Sequence, residues 1–355
     1  MKLFQFAGFA CVAFLVMLTG VSCKEGLEPG QTYGRNETEA QEEAGTETDS
    51  GGRKFTFACW NTQTFFDAQC DGTEYTEFQR PEKWTAAMYS KRLDSLCEVM
   101  AALNPDIMVL EEIENEAVVQ DIANRFAGSS WDKKKSWQYA GFAKKPGTAI
   151  GCAVFSRLEI SSLKVHSLDI RLYETKQPSS RPLMELGLTC EDKAFTLFVC
   201  HWKSKSGGEE ETEIWRDWQE SVLAQRLCEL KGCKMPVVIC GDFNRNAEDF
   251  VISPRNNDGM NTLFRGMSGQ KAEAGSPWIT SAGTVKKDIG SYFYKDSWER
   301  IDNIFSAGDI KISRFQAVAI PPFADEEGKP VSYKMYNESG YSDHLPLRCV
   351  LTLVI

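Results

Sequence analysis

The sequence predicts an α/β protein built as a layered sandwich. Three observations predict it. Helical and strand-like segments alternate early, and strands crowd later. The strands fall into two sheet-like halves. Most telling, several strand boundaries share one signature, an apolar run meeting a polar residue of catalytic type: Asn61, Glu112, His201, Asp242 with Asn244, and Asp343 with His344, the last pair entering a strand rather than leaving one. One such boundary is commonplace. Five in one chain point to a single cleft along the top of packed sheets, where open α/β folds collect their chemistry.

The elements justify this in order. Lys54 to Trp60 alternates as a strand and ends at Asn61. Pro81 to Leu103 reads as a helix, because Leu96, Val99, Met100 and Leu103 recur at three and four, and Asn104-Pro105 stops it. Asp106 to Leu110 is a short apolar strand ending at Glu111-Glu112, and Glu116 to Phe126 is a second helix. Gln138–Phe142, Ile150–Phe155, Leu183–Thr189 and Phe195–Cys200 follow as strands, the last ending at His201. Glu213 to Leu230 is a helix with Ile214, Trp218, Val222, Leu223, Leu227 and Leu230 on its apolar side. Pro236 to Cys240 is a buried strand that delivers Gly241-Asp242-Phe243-Asn244. Ile301–Phe305 and Leu347–Leu353 are late strands.

The 355 residues, 42% apolar with 21 Phe and 9 Trp, suffice for one large core. The net charge of −10 is uneven: residues 24–53 hold eight acids against three bases, leaving the rest mildly acidic. Such a body lacks the basic face of a tight non-specific nucleic-acid binder, yet it does not exclude a nuclease whose acidic ligands are offset by bound cations. Residues 1–23 read as an export signal: Lys2 is the charged start, Phe6 to Leu18 is an apolar run too short to span a bilayer comfortably, and Gly20-Val21-Ser22-Cys23 resembles a bacterial lipoprotein processing site. Cys23 is then the lipidated first residue of the mature protein, residues 24–53 a disordered acidic tether, and the location the cell envelope. An ordinary signal peptide or a retained anchor is the alternative. Of the 12 Cys, those at 59, 152, 190, 200, 240 and 349 lie in apolar runs as buried free thiols do; Cys228 with Cys233 is a disulfide candidate.

The motifs resemble, in order, those of the endonuclease/exonuclease/phosphatase superfamily over residues 54–355. Trp60-Asn61-Thr62-Gln63-Thr64-Phe65-Phe66-Asp67 is similar to its first strand with its Asn, and Pro105 through Glu112 to its strand ending in the metal-binding Glu, with Glu111 where many members have Gln. Ile150 to Arg157 and Arg181-Pro182-Leu183 match middle strands, and His201-Trp202-Lys203-Ser204-Lys205-Ser206-Gly207-Gly208 the His segment of bacterial exported members. Gly241 to Asn244, Arg300 to Phe305 and Ser342-Asp343-His344 complete the set.

The resemblance implies a four-layer α/β sandwich, two packed mixed β-sheets flanked by helices. It implies an Mg²⁺-dependent phosphodiester hydrolase, with Mn²⁺ as the alternative ion, most simply an exported or membrane-tethered monomeric nuclease. Hard oxygen donors suit Mg²⁺. Glu112 is the first candidate ligand and Asp343 the second, and Asn61 binds the metal or holds Glu112. Asp242 looks like the general base that activates water, and Asn244 a donor to a phosphate oxygen, although Gly-Asp-x-Asn is also an ordinary turn. By resemblance His201 and His344 flank the scissile phosphate, with Asp302 fixing the tautomer of His344. Some members pair the first His with a Glu on a middle strand; Thr148 to Gly151 offers no carboxylate, so the partner of His201 is open. Arg181, Lys203 and Lys205 are candidates for flanking phosphates or, equally, for a solvated basic patch, and Trp202 and Trp298 suit core packing more than base stacking. The substrate is nucleic acid or another phosphodiester. The alternative is a phosphatase or phospholipase-type phosphodiesterase acting on a small phosphoester or lipid headgroup.

Overall fold

A computed structural model of the chain describes residues 12–17, 52–128, 136–170, 176–231, 235–254, 260–286 and 289–354. Strands β1 (Val12–Met17) and β2 (Arg53–Phe65) lead to helix α1 (Ala86–Leu103), β3 (Ile107–Ile113), α2 (Glu116–Gly128), β4 (Tyr139–Lys144), β5 (Gly151–Ser156) and β6 (Glu159–His166). Then come β7 (Leu183–Cys190), β8 (Lys193–His201), α3 (Glu209–Lys231), β9 (Val237–Asp242), β10 (Val251–Pro254), β11 (Met260–Arg265) and β12 (Lys271–Ala274). The hairpin β13 (Tyr292–Tyr294) and β14 (Ser297–Glu299), then β15 (Asp302–Ala307), β16 (Ile310–Ala317) and β17 (Leu347–Leu353) complete the fold.

Seven strands form one sheet, ordered β1-β4-β5-β3-β2-β17-β16, and five form a second, ordered β15-β9-β8-β7-β6. Each is mixed, because each holds one parallel pair joined by a helix: β2 with β3 through α1, and β8 with β9 through α3. The sheets pack face to face. Phe57, Cys59, Ile107 and Val109 of the first meet Leu186, Leu197, Val199 and Cys240 of the second in one buried cluster. On the outer face of the first sheet, Trp60, Met108 and Leu110 pack on Leu96 and Met100 of α1 and Val118 and Ile122 of α2. Outside the second, Phe198 and Ile239 pack on Leu223, Ala224 and Leu227 of α3. These are the four layers the sequence predicts.

Several boundaries differ. β2 does not stop at Asn61 but runs on to Phe65. The first helix begins at Ala86, not Pro81, because Thr85 caps it by accepting from the Met88 N–H (3.3 Å) while Phe78 and Trp84 turn inward onto Phe66. α3 starts earlier, at Glu209, where Glu209, Glu210 and Glu211 suit the positive end of the helix dipole. Its buried face is also rotated from the one expected: Trp215, Leu223 and Leu227 are buried, but Ile214 is exposed. The same face buries Arg216 and Glu220, and Glu220 with Glu213 and Asp217 pairs Arg245.

Inside the run read as an export leader, Val12–Met17 lies antiparallel to β4 as the sheet's edge strand. Cys23 and most of the tether lie outside the described residues, as does Cys233. The described cysteines are free thiols, and the six expected to be buried are buried. Among the described residues no helix is long and apolar enough to cross a membrane.

Candidate active site

Side-chain alternation along the strands builds the site. In β8 the residues facing the second sheet's partner are Phe195, Leu197 and Val199, so the same row ends at His201. In β9 the row Val238, Cys240 ends at Asp242, and in β15 Ile304 shares its face with Asp302. β2 extends the row Phe55, Phe57, Cys59 to Asn61. All four polar residues therefore stand at one end of the inter-sheet core. Register then sets them side by side, with Asp242 opposite His201 on one neighbour and Asp302 on the other.

Glu112 breaks this parity. By alternation it belongs with Met108 and Leu110 on the helix-facing side. Instead β3 bulges between Glu111 and Ile113, Glu112 takes φ 65°, and its side chain turns to the cleft. There Glu112 Oε2 accepts the Thr64 N–H at 2.5 Å. Arg92 of α1, itself buried, holds that turn by donating to the carbonyls of Thr62, Gln63 and Thr64 while Gln63 and Thr64 sit at positive φ. Gly241 is demanded for another reason: at φ 126° a Cβ would stand 1.9 Å from the Cys200 carbonyl oxygen.

The polar groups converge. Asn61 Nδ2 donates to Asp242 Oδ2 (3.1 Å) and lies 3.4 Å from Glu112 Oε1, while its Oδ1 accepts the Gln63 N–H. His201 Nε2 lies 3.6 Å from Glu112 and 3.8 Å from Asp242. Asp242 Oδ1 accepts the Asn244 N–H (2.8 Å), and Asn244 Nδ2 donates to the Trp202 carbonyl (3.2 Å). His344 Nδ1 and Asp302 Oδ2 are 2.8 Å apart, and ligand atoms of Asp242, Asp302 and His344 lie within 4.8 Å of one another. Ser342 fastens the segment by donating to the Asn61 carbonyl (2.6 Å) and accepting the His344 N–H.

Electrostatics divides the roles. Burial, and then the neighbouring Asp302, lift the Asp242 carboxyl to about 7. Burial likewise raises Glu112, against the opposing pull of Arg181. Burial and the nearby positive charges of Arg181 and His344 hold the His201 ring neutral. For His344 burial opposes the charge, but Asp302 overcomes it and lifts the imidazolium to about 10. Asp343, half-buried, adds negative potential at both Glu112 and His344.

Arg181 is half-buried, faces Glu112 and His201 electrostatically, and makes no hydrogen bond or ion pair among the described residues. Lys203 is differently placed: its ammonium donates to the Ser204 and Ser206 carbonyls and to the Ser204 hydroxyl, so its own loop holds it. Lys205 pairs with Glu209 and Glu299. Trp202 is core, packed on Phe243. No partner for His201 Nδ1 exists among the described residues, as the missing carboxylate at 148–151 foreshadowed. Three contributors carried no signal at the level of motif. Tyr292 lays its ring 4.8 Å from that of His344, with Tyr294 stacked behind it, and Tyr75 sits within electrostatic reach of Glu112 and Arg181. Arg92 had one available signal, a cation interrupting the buried face of an amphipathic helix.

The donor set suits a divalent cation. Glu112, Asp242, Asp302 and Asp343 crowd together against Arg181 and His344, and burial first, then the neighbouring carboxylates, raises Glu112 and Asp242, a strain that a bound cation would relieve. Hard carboxylate and amide oxygens are the ligands Mg²⁺ prefers.

Two mixed sheets packed in an α/β sandwich, with a carboxylate–histidine cleft at one end, define a class that comparison with known proteins makes specific. A structure of D. rerio TDP2 complexed with single strand DNA product superposes with a TM-score of 0.52 at 16% identity, over 84% of this chain and 98% of that one. The human nocturnin catalytic domain with bound sulfate gives 0.51 at 17%, over 84% and 94%. In sequence the chain is 25% identical to human nocturnin over 276 residues, 74% of this chain and 58% of nocturnin, so it spans little more than half of that relative. The model of the Endonuclease/Exonuclease/phosphatase family matches residues 56–352, and the chain belongs to that family.

Proposed function

We propose that this protein is an Mg²⁺-dependent phosphodiesterase that cleaves nucleic acid. One observation carries the reading: Asp242, near neutrality in its affinity for a proton, stands between neutral His201 and the Asp302–His344 pair, with Asn61 tying it to Glu112. Glu112, steered by its bulge, and Asp343 would hold the ion, with Asn61 positioning the first. Bound there, Mg²⁺ supplies charge neutralisation for the phosphate and the developing leaving oxygen.

The chain's own groups do the rest. Asp242 takes the proton of the attacking water, a task matched to a carboxyl near 7. With Nδ1 engaged by Asp302, His344 presents Nε2–H to a phosphate oxygen and stabilises charge as it grows. His201 offers a second, neutral donor, and Asn244 keeps Asp242 aimed. Arg181, which makes no ion pair among the described residues, is the cation offered to a non-scissile phosphate.

The aromatic rim of Tyr75, Tyr292 and Tyr294 favours a substrate with stackable bases over a bare headgroup. The DNA product on the TDP2 relative points the same way. Envelope tethering through a lipidated Cys23 belongs to this reading as well; fatty-acid labelling lost in Cys23→Ser checks it.

The test incubates the protein with plasmid DNA, single-stranded DNA, RNA, sphingomyelin and a generic diester, each with Mg²⁺ or chelator. Nucleic-acid cleavage that is abolished by chelator and by Asp242→Ala supports the proposal. Turnover confined to lipid or monoester overturns the choice of substrate.

A further inference from the structure

A second group of carboxylates lies outside the catalytic cleft, where the loop after β2 folds back onto the end of β3. One oxygen each from Asp71, Glu74 and Glu114 lies within 4.8 Å of the other two. That is the span of two oxygens on opposite sides of a Ca²⁺ ion, whose ligands sit at about 2.3–2.6 Å. Glu114 is 0% exposed and Glu74 5%, while Asp71 is exposed and forms the mouth.

Two observations point to a ligand. Glu114 Oε2 accepts the Asp67 N–H (2.6 Å), but Glu114 Oε1 is buried with no hydrogen-bond partner among the described residues. The second is charge. Asp67, Asp71, Glu74 and Glu114 crowd one loop, and none of them forms an ion pair among the described residues. Buried acids ordinarily find a cation or a full set of donors. The backbone donors present do not suffice: Glu74 accepts from Asp71 and Gly72, and Asp71 from Thr73, which leaves the orphan oxygen of Glu114 unanswered.

We propose that Asp71, Glu74 and Glu114 form a calcium site that clamps the 67–80 loop to β3. Ca²⁺ fits better than Mg²⁺ here, because an irregular all-protein oxygen cage is its habit, whereas Mg²⁺ demands a strict octahedron and keeps its waters. The clamp has a positional consequence. The residue after Glu74 is Tyr75, which packs on Phe66 and reaches the cleft beside Glu112, so the ion fixes one wall of the substrate's approach.

The experiment uses the full chain with Glu112→Gln, which disables the catalytic ion site, stripped with chelator and titrated with Ca²⁺ alone by calorimetry and thermal melting. One ion binds per chain, and Tm rises by roughly 4–8 °C at a hundredfold excess over Kd. Adding Asp71→Asn or Glu74→Gln weakens binding at least tenfold and removes most of that rise. Asp71 is exposed, so its variant folds even if Glu114→Gln does not. Absence of Ca²⁺ binding in the Glu112→Gln protein, or binding untouched by Asp71→Asn, overturns the proposal. Neither outcome bears on nuclease activity, which the Asp242 variant tests separately.

Discussion

Asp302 never needs to touch substrate to matter. It lies 2.8 Å from His344 Nδ1 and raises that ring's affinity for a proton, and in the proposed mechanism it fixes the tautomer and charge that the cleft uses. Asp302→Asn should therefore lower kcat by about 10²- to 10⁴-fold. The pH profile gives the sign. In the proposed mechanism activity needs Asp242 deprotonated and His344 protonated, so it should rise with pH through the Asp242 value, about 7 before any cation lowers it, and fall as pH climbs through that of His344, about 10. Without Asp302 both groups bind protons less tightly, and both limbs of the bell move to lower pH. A profile of kcat/KM for the two proteins checks this; unmoved limbs would count against the dyad. Gly241 makes a simpler case. Gly241→Ala drives a methyl into the Cys200 carbonyl and should cost more than about 3 kcal/mol, seen as a reduced urea midpoint at unchanged slope.

At the scale of elements, the strand ends were legible and the deviations from them were not. Asn61, His201 and Asp242 lie on the inward-facing rows that apolar alternation marks out, so sequence alone brings them to one place. Glu112 was found by motif, yet simple alternation puts it on the wrong face; only the bulge, which depends on Thr64 and Arg92 from elsewhere in the chain, rescues it. Tyr292 was invisible because its hairpin is short and packs by tertiary contact, not by periodic burial. β6 carries only a weak strand signal, because most of its residues are half-exposed, which blurs the period of two. Arg92 links α1 to the end of β2, so removing it tests the bulge. Arg92→Met leaves three carbonyls without their donor and should destabilise the fold on the order of 3 kcal/mol by urea denaturation, with a weaker Mg²⁺ requirement curve as Thr64 and Glu112 loosen.

Across the whole molecule, β6, β7 and α3 are tied by one carboxylate. Glu185 of β7 is 5% exposed, accepts from Arg226 of α3 at 3.0 and 3.1 Å, and lies 2.7 Å from His166 of β6. Burial alone would raise this carboxyl, but the bonds to His166 and Arg226 prevail and depress it to about 2. A depressed carboxylate stabilises the fold above its unfolded value, near 4.5, and that contribution drains away as pH falls from there toward 2. Glu185→Gln should cost on the order of 2 kcal/mol at pH 7, and the gap from the parent protein should close steadily below pH of about 4. A gap that persists unchanged into acid would show that packing, not charge, does the tying.

The cleft's candidate reactive groups are carried by two separate sheets, Asn61 and Glu112 on one and His201, Asp242 and Asp302 on the other. The side chains wedged between those sheets are thus a spacer gauge for the chemistry above them. Shaving one of them, Leu197 or Val109 for instance, should detune turnover at temperatures where the protein is still fully folded. In this architecture the catalyst is calibrated from below.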